Sequence, residues 1–519
     1  MWDYFSLEES KQIVFDKWTK LRIIYLTAFL SASIVANFYW NDLLSAFFGL
    51  FTLIFLIASC IEILEFLIKI VLRKQILKPA LSAKMILHSG LTVVSVSIIY
   101  ITFLTNIFGL DLFLSIVLIL LIPIIIGYWL LVMFPFDYYF KNKVFLKAKL
   151  HRQNLKKLQV IAVSGAYGKT STKEILDQLL GIKYTVEKTL KNQNSNVSCA
   201  RKTLKLDNQS DIFICELGSY KLGDGNEIAN FILPNCSMIT GLNLQHYSLF
   251  GSRQNIINAE SESLKFLPKK SPVAINWSSQ MCRDITIPAG LKLIKYGVPN
   301  SKDDAKKFDV YAKNIKLNKD LTTEFELVWD GKTEKLTTNL LSVGNIENLV
   351  GVIALALHYK ITMAKIKPKL LGLKPAHGAL ELTKKTNYYE IDDSYNANFD
   401  GIKNALDLVK EMQQNKALKI PKSVVFIDDI LELGSKSEEI HAKLGKIIAD
   451  NKVDILVLLG RNFTKTIYQV LSQEGFDLNN VWFWDNKNTQ EIKNNLDDFI
   501  ATNPNSVVLF EGYQSRKFL

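Results

Sequence analysis

The pattern of apolar and polar positions changes abruptly along the chain. Before residue 140 the apolar residues come in long runs, over 23–40, 43–61, 86–108 and 110–134. Each run is near the ~20 residues that a helix needs to cross a bilayer. Buried core helices are the alternative, but four such runs with almost no interior charge argue against them. Further on, short apolar strands alternate with helical periodicity. Strands are expected at 160–163, 212–215, 237–240 and 273–275, the pattern of a parallel, doubly wound sheet. Residues 308–341 alternate instead, with Asp330-Gly331 as a turn, which predicts a small antiparallel addition. An Ala-rich helix follows over 340–359, and Pro368 and Pro375 mark a linker. Strands expected at 388–391, 423–427, 455–459 and 506–510 then alternate with helices in a second α/β region.

Charge sharpens the first part of this picture. The net charge of +12 fits nucleic acid, an anionic membrane or an anionic substrate. The basic residues beside the apolar runs cluster at 11–22, 69–84 and 141–157, and the other two connecting loops carry none. The positive-inside rule then places both termini, and everything after residue 140, in the cytoplasm of a multi-pass inner-membrane protein. Membrane lipids are expected partners of the basic segment 141–157. Aromatic interleaving is sparse and no nucleic-acid motif is present, so no nucleic-acid partner is expected. The five cysteines have neither CxxC spacing nor histidine pairing, which predicts reduced thiols and no cysteine metal site.

The candidate chemistry centres on 160–174, VIAVSGAYGKTSTKE. An apolar strand leads into Gly165-Ala166-Tyr167-Gly168, then Lys169-Thr170-Ser171 opens a helix. Such a turn lets backbone N–H groups approach phosphates at a helix N-terminus, with Lys on the terminal phosphates and Thr on Mg²⁺. The GxxGKT spacing is shorter than the common GxxxxGK[ST] loop, and an ordinary strand–helix turn is the alternative. Glu216, in the run DIFICELG at 211–218, stands at a strand's carboxyl end where α/β sheets place ligand-binding groups. His246 lies in a loop after a strand, and Glu260 and Glu262 follow it. DDSYNANFD at 392–400 and IDDILELG at 427–434 each follow a strand. Asp and Asn caps are the alternative reading of the former.

In this order these segments resemble the Mur ligase family, closest to its D-alanyl-D-alanine-adding branch. The resemblance covers about 160–519 and includes Lys191–Asn194, Gly225–Ile228, Leu242–His246 with Phe250–Ser252, Asn345–Asn348, DDSYNANFD, and IDDILELG with Glu438 and His441. It implies a P-loop, doubly wound parallel-sheet ATPase domain at 159–376 and a Rossmann-like α/β domain at 377–519. A four-helix transmembrane region and basic linker would occupy 1–158. It also implies an ATP- and Mg²⁺-dependent ligase in which a carboxylate takes the γ-phosphate of ATP and the acyl phosphate is attacked by an amine. Lys169, His246 and Glu260 would be catalytic. Gly165, Gly168, Lys169, Thr170, Ser171, Asn348, Asp393 and Asn396 would hold the nucleotide. Thr170, Glu216 and His246 would hold metal.

Several positions depart from the family pattern. Tyr167 stands where the loop usually has Asn, and Glu260 aligns with a lysine that is carbamylated in the branch. Gly344 replaces a histidine, and the arginine usual after the linker is missing from Pro375–Ala379. The expected substrates are a muramoyl-peptide carboxylate and an amine acceptor. The alternatives are a lipid-linked precursor, a poly-γ-glutamate-type polymer, or a nucleotide-binding scaffold without turnover. Oligomeric state is open.

Overall fold

The computed structural model describes residues 111–190, 193–460, 462–485 and 487–519. Lys143–Leu519 form one compact unit and Met1–Asn142 another. The first described element is a single helix, α1 (Asp111–Asn154).

The expected transmembrane region is overturned. Among the described residues no helix is long and apolar enough to cross a membrane. The runs at 23–40, 43–61 and 86–108 lie outside the described residues, and the run at 110–134 falls within α1. The physical reason is visible where the run was expected to stop at an interface. The helix continues through the basic residues to Asn154, and its last turns serve as a packing element of the α/β unit. Phe145 stacks on Phe231 at 5.1 Å, and Ala148 is fully buried. Arg152, 7% exposed, donates to the carbonyls of Leu155, Leu158 and Ile232 and to Asn235 Oδ1. The multi-pass inner-membrane location rested on the same runs and falls with them.

The first sheet has nine strands in the order β2-β3-β1-β4-β5-β6-β7-β8-β9. In chain order the elements are β1 (Gln159–Ser164), α2 (Lys169–Leu180), β2 (Val186–Lys188), α3 (Asn196–Thr203), β3 (Ile212–Glu216) and α4 (Asp224–Ile232). They continue as β4 (Cys236–Ile239), α5 (Arg253–Ser261), β5 (Pro272–Asn276) and β6 (Lys292–Gly297). Strands β1 to β7 pair in parallel. The antiparallel addition is β7 (Val310–Leu317), β8 (Thr323–Trp329) and β9 (Lys332–Thr338). Asp330 and Gly331, both at positive φ, make its turn. The helices α6 (Val343–His358) and α7 (Met363–Leu370) complete this half.

Strand alternation divides the core. Ile161 and Val163 face Leu176 and Leu179 of α2 and Leu349 and Ile353 of α6. Val160 and Ala162 face the other side, with Phe213, Phe231 and Phe145. A strand covered on both faces must be apolar where it is covered, and β1 is from Val160 to Val163. The sequence reading missed β2 and β6. The first is only three residues long, and the second, KLIKYG, carries lysines that break the apolar run.

The second sheet has the order β10-β11-β15-β12-β13-β14. Its elements are β10 (Glu381–Lys384), β11 (Tyr388–Asp393), α8 (Phe399–Gln414), β12 (Ser423–Ile427), α9 (Ser437–Asp450) and β13 (Ile455–Leu458). They end with α10 (Thr464–Gln473), β14 (Val481–Phe483), α11 (Thr489–Thr502) and β15 (Ser506–Glu511). Only β10 runs antiparallel. Val425, Ile427 and Leu509 pack in one layer with Leu406 and Leu444, and Val424, Phe426 and Phe510 in the other with Ile492 and Leu496.

Candidate active site

The loop from β1 to α2 needs glycine twice. Gly165 has φ +130°, and a Cβ there would lie 2.2 Å from Thr240 Oγ1. Gly168 has φ +77°, and a Cβ would lie 2.9 Å from Asn348 Nδ2. Asn348 of α6 therefore sits directly on the loop. Gly168 is the N-cap of the 12-residue α2; no side chain caps the helix, and its first turn has no acidic residue. Such a terminus attracts anions. Lys169 Nζ folds back onto the Gly165 carbonyl.

Glu216, 2% exposed, ends β3 beside this loop, because β1 and β3 pair in register up to Val163 and Glu216. Thr170 Oγ1 lies 3.1 and 3.2 Å from its two carboxylate oxygens. Lys173 Nζ, fully buried, donates to Oε2 at 2.9 Å, and Asn194 Nδ2 approaches Oε1 at 3.4 Å. A buried carboxylate is tolerable only when paired and hydrogen-bonded, and here both conditions hold. Lys191 and Asn192, just before Asn194, lie outside the described residues.

Glu260, also 2% exposed, lies under the loop, and its Oε2 accepts the Gly165 N–H at 2.7 Å. Its carbonyl accepts the Ser164 hydroxyl at 2.7 Å. Glu262 accepts from the N–H groups of Gly223 and Asn226, at the start of α4. The two neighbouring acids thus hold different backbone segments. The Tyr167 ring lies against Gly241, and burial pushes its hydroxyl well up. Burial also pushes Glu347, next to Asn348, up to about 7, although Asn276 Nδ2 donates to it at 3.1 Å.

His246 belongs to a second group. It has φ +65°, and its Nδ1 pairs with Glu432 Oε2, from the loop after β12. The Ser248 N–H and hydroxyl both donate to the Glu432 carbonyl at 3.0 Å. Asn243 Nδ2 donates to Asp400 Oδ2 at 2.8 Å. The loop after β4 is therefore where the two sheet-bearing halves meet.

Asp393 belongs to a third. It ends β11, opposite Glu511 at the end of β15. Its Oδ1 accepts the Leu380 N–H at 3.0 Å, and burial raises it to about 6. Glu511, 0% exposed, is raised well above the usual carboxylate range by burial and then by Asp393. The facing Asp393 carboxyl adds to the cost of ionising Glu511. Among the described residues no amide, hydroxyl or cation donates to Glu511. Asn396 is exposed on the following loop, whereas Asn398 caps α8 through the Gly401 N–H.

The loop residues Gly165, Gly168, Lys169, Thr170 and Ser171 thus gather with Glu216, Glu260 and Asn348, while His246 and Asp393 each sit with an acid from the second sheet. The sequence reading missed the roles of Lys173, Glu432 and Glu511. Lys173 could have been found: it lies four residues after Lys169 on α2, on the same helix face.

Residues 163–356 match the Mur ligase middle domain. Over that stretch the chain is similar to the Mur ligases. It is 26% identical over 315 residues to the UDP-N-acetylmuramoyl-tripeptide–D-alanyl-D-alanine ligase of Bacillus subtilis, covering 60% of this chain and 65% of that protein. The enzyme of the same name from Rickettsia prowazekii is 25% identical over 380 residues, covering 72% and 79%. This chain also matches only 65% of the length of the Escherichia coli relative. Among solved structures, MurF from Acinetobacter baumannii superposes with a TM-score of 0.63 at 23% identity, covering 72% of this chain and 78% of that one. MurF ligase from Thermotoga maritima, solved in complex with ADP, gives 0.59 at 20% identity, covering 72% and 81%. The Mur ligase middle-domain match runs from the last residues of β1 through most of α6, so it contains the loop, Glu216, His246, Glu260 and Asn348.

Proposed function

We propose that this chain is an ATP-dependent amide-bond ligase of the Mur type, active in peptidoglycan precursor synthesis. It joins a D-alanyl-D-alanine-like amine to a muramoyl-peptide carboxylate. The observation that carries the proposal is the meeting of Thr170, Glu216 and Lys173 at the open N-terminus of α2. Residues 159–376 form the ATP-binding domain and 377–519 the C-terminal domain. The lipid-linked and polymer alternatives rested on the membrane spans and are not carried further.

Phosphoryl transfer to a carboxylate needs in-line positioning and charge neutralisation more than covalent help. The N–H groups of the glycine loop and first turn of α2 hold the β- and γ-phosphates, and Lys169 swings from the Gly165 carbonyl onto them. The Thr170 hydroxyl and Glu216 carboxylate are hard oxygen donors that fit Mg²⁺. Bound there, Mg²⁺ would supply neutralisation of the phosphate charge. Lys173 pairs with Glu216 and orients it. Glu260 holds Gly165 in place and so positions the loop. With Nδ1 paired to Glu432, the Nε2 of His246 would hold a second Mg²⁺ beside the acyl phosphate. Asn348 and Ser171 line the nucleotide side of the loop, with Asp393 and Asn396 reaching it from the C-terminal domain. The carboxylate takes the γ-phosphoryl group and ADP leaves; the amine then attacks the acyl phosphate and phosphate leaves.

Coupled ADP release by the full chain is the test. Turnover should require Mg²⁺, UDP-muramoyl tripeptide and D-alanyl-D-alanine together. Phosphate release indifferent to both substrates would overturn the ligase proposal.

A further inference from the structure

The segment between the two sheets carries a group of side chains that the ligase proposal does not use. β10 and β11 are antiparallel, and Glu381 lies directly opposite Asp392. Directly opposed residues project from the same face with Cβ atoms about 5 Å apart, where two like charges are destabilising. His377, one turn before β10, closes the third side: its Nδ1 lies 3.0 Å from Glu381 Oε2. One ligand atom from each of His377, Glu381 and Asp392 falls within 4.8 Å of the other two.

The backbone around the three is fixed. The Leu380 N–H donates to Asp393 Oδ1 at 3.0 Å, and the Tyr395 N–H donates to the Gly378 carbonyl at 2.9 Å. Asp392 Oδ1 accepts the Ser394 N–H at 3.0 Å, which orients its carboxylate. His377 is exposed and the two acids are half-buried, so solvent reaches the group. A solvated His–Glu pair is the ordinary alternative, worth about 0–1 kcal/mol. It accounts for His377 and Glu381 and leaves the facing Asp392 charge uncompensated.

We propose that His377, Glu381 and Asp392 form a three-ligand site for a first-row divalent cation, with Zn²⁺ as the best match. One imidazole nitrogen and two carboxylate oxygens suit Zn²⁺, Mn²⁺ or Co²⁺, whereas Mg²⁺ favours an all-oxygen set. The site therefore differs in chemistry from the Thr170–Glu216 pair. A cation there cancels the facing charges of Glu381 and Asp392 and clips the linker to β11, one residue from Asp393. Binding to the folded state alone raises stability with metal concentration.

Titration of the EDTA-treated, desalted full chain with Co²⁺ tests the site. One equivalent should bind with visible d–d absorption, be displaced by Zn²⁺, and raise the melting temperature. His377→Ala and Glu381→Gln should each weaken binding at least about 100-fold, the upper end of what loss of a supporting partner alone costs. Both positions reach solvent, and circular dichroism confirms that the variants fold. Glu216→Gln should keep Co²⁺ uptake while losing ADP release, so failure of the ligase proposal and failure of the cation site are separately visible. No uptake by the wild type, or equal uptake by wild type, His377→Ala and Glu381→Gln, would overturn the site.

Discussion

Glu216 and Glu511 hold equivalent places in two parallel sheets and live in opposite electrostatic conditions. Each ends a strand at its carboxyl edge, and each is almost fully buried. Glu216 is met by a buried ammonium, a hydroxyl and an amide. Glu511 is met by another acid. Burial disfavours a charged carboxyl, and at Glu511 the acid neighbour adds to that cost. The first strand end gathers donors around its carboxylate, and the second sets one acid against another.

Lys169→Ala separates the two ends most strongly. ADP release should fall by about 10²–10³-fold or more, as expected for loss of a group that neutralises transferring phosphate, when measured in the coupled assay. Unchanged turnover would remove the phosphate role from the first strand end. Lys173→Met should come next. It leaves Glu216 buried without its cation, and breaking such a pair costs about 3–5 kcal/mol, read from urea unfolding at pH 7. A cost under about 1 kcal/mol, the value of an exposed pair, would show that Glu216 is not the buried anion described here.

Glu511→Gln should have the opposite sign. A carboxyl raised in the folded state contributes stability that is full below its unfolded pKa, about 4.3. That contribution is lost as pH rises through the folded value. For Asp393 that value is about 6, and burial with the Asp393 charge raises Glu511 well above its ordinary value. The wild type should therefore lose stability from pH 4.5 upward, and Glu511→Gln should flatten that loss and gain about 1–3 kcal/mol at pH 8. Parallel urea curves for both proteins across this range would contradict the raised Glu511 carboxyl. Glu347→Gln should give the smallest effect, a gain of about 1 kcal/mol at pH 8 in the same urea measurement. It should remove a fall in stability between the unfolded value and about 7.

The contrast between these acids also explains what the sequence made legible. Glu216 could be read because it closes an apolar strand in a segment that carries a family resemblance. Glu511 could not, because the apolar reading of its strand stops at Phe510, one residue short, where the charge begins. Its partner Asp393 is far away in sequence, and only strand pairing brings them together. Lys173 looks like a solvated helix lysine until β3 is placed beside α2. The strands of both sheets were visible wherever both faces were buried. The short β2 and the lysine-bearing β6 were hidden because neighbouring strands, not local composition, hold them. The apolar run ending at 134 was misread for a related reason. Hydropathy measures how apolar a segment is and carries no information about the protein surface that a following basic segment covers.

Arg152 shows what that surface demands. Its guanidinium ties the end of α1 to the turn before β1 and to the end of α4, so the helix tail belongs physically to the sheet that follows. A shortened gene product begun at Lys143 would retain this rivet; one begun at Gln159 would bare Phe231 and leave the Ile232 carbonyl without its donor. Where a truncated version is cut, rather than how much is removed, would then decide whether the half that carries the first sheet stays folded.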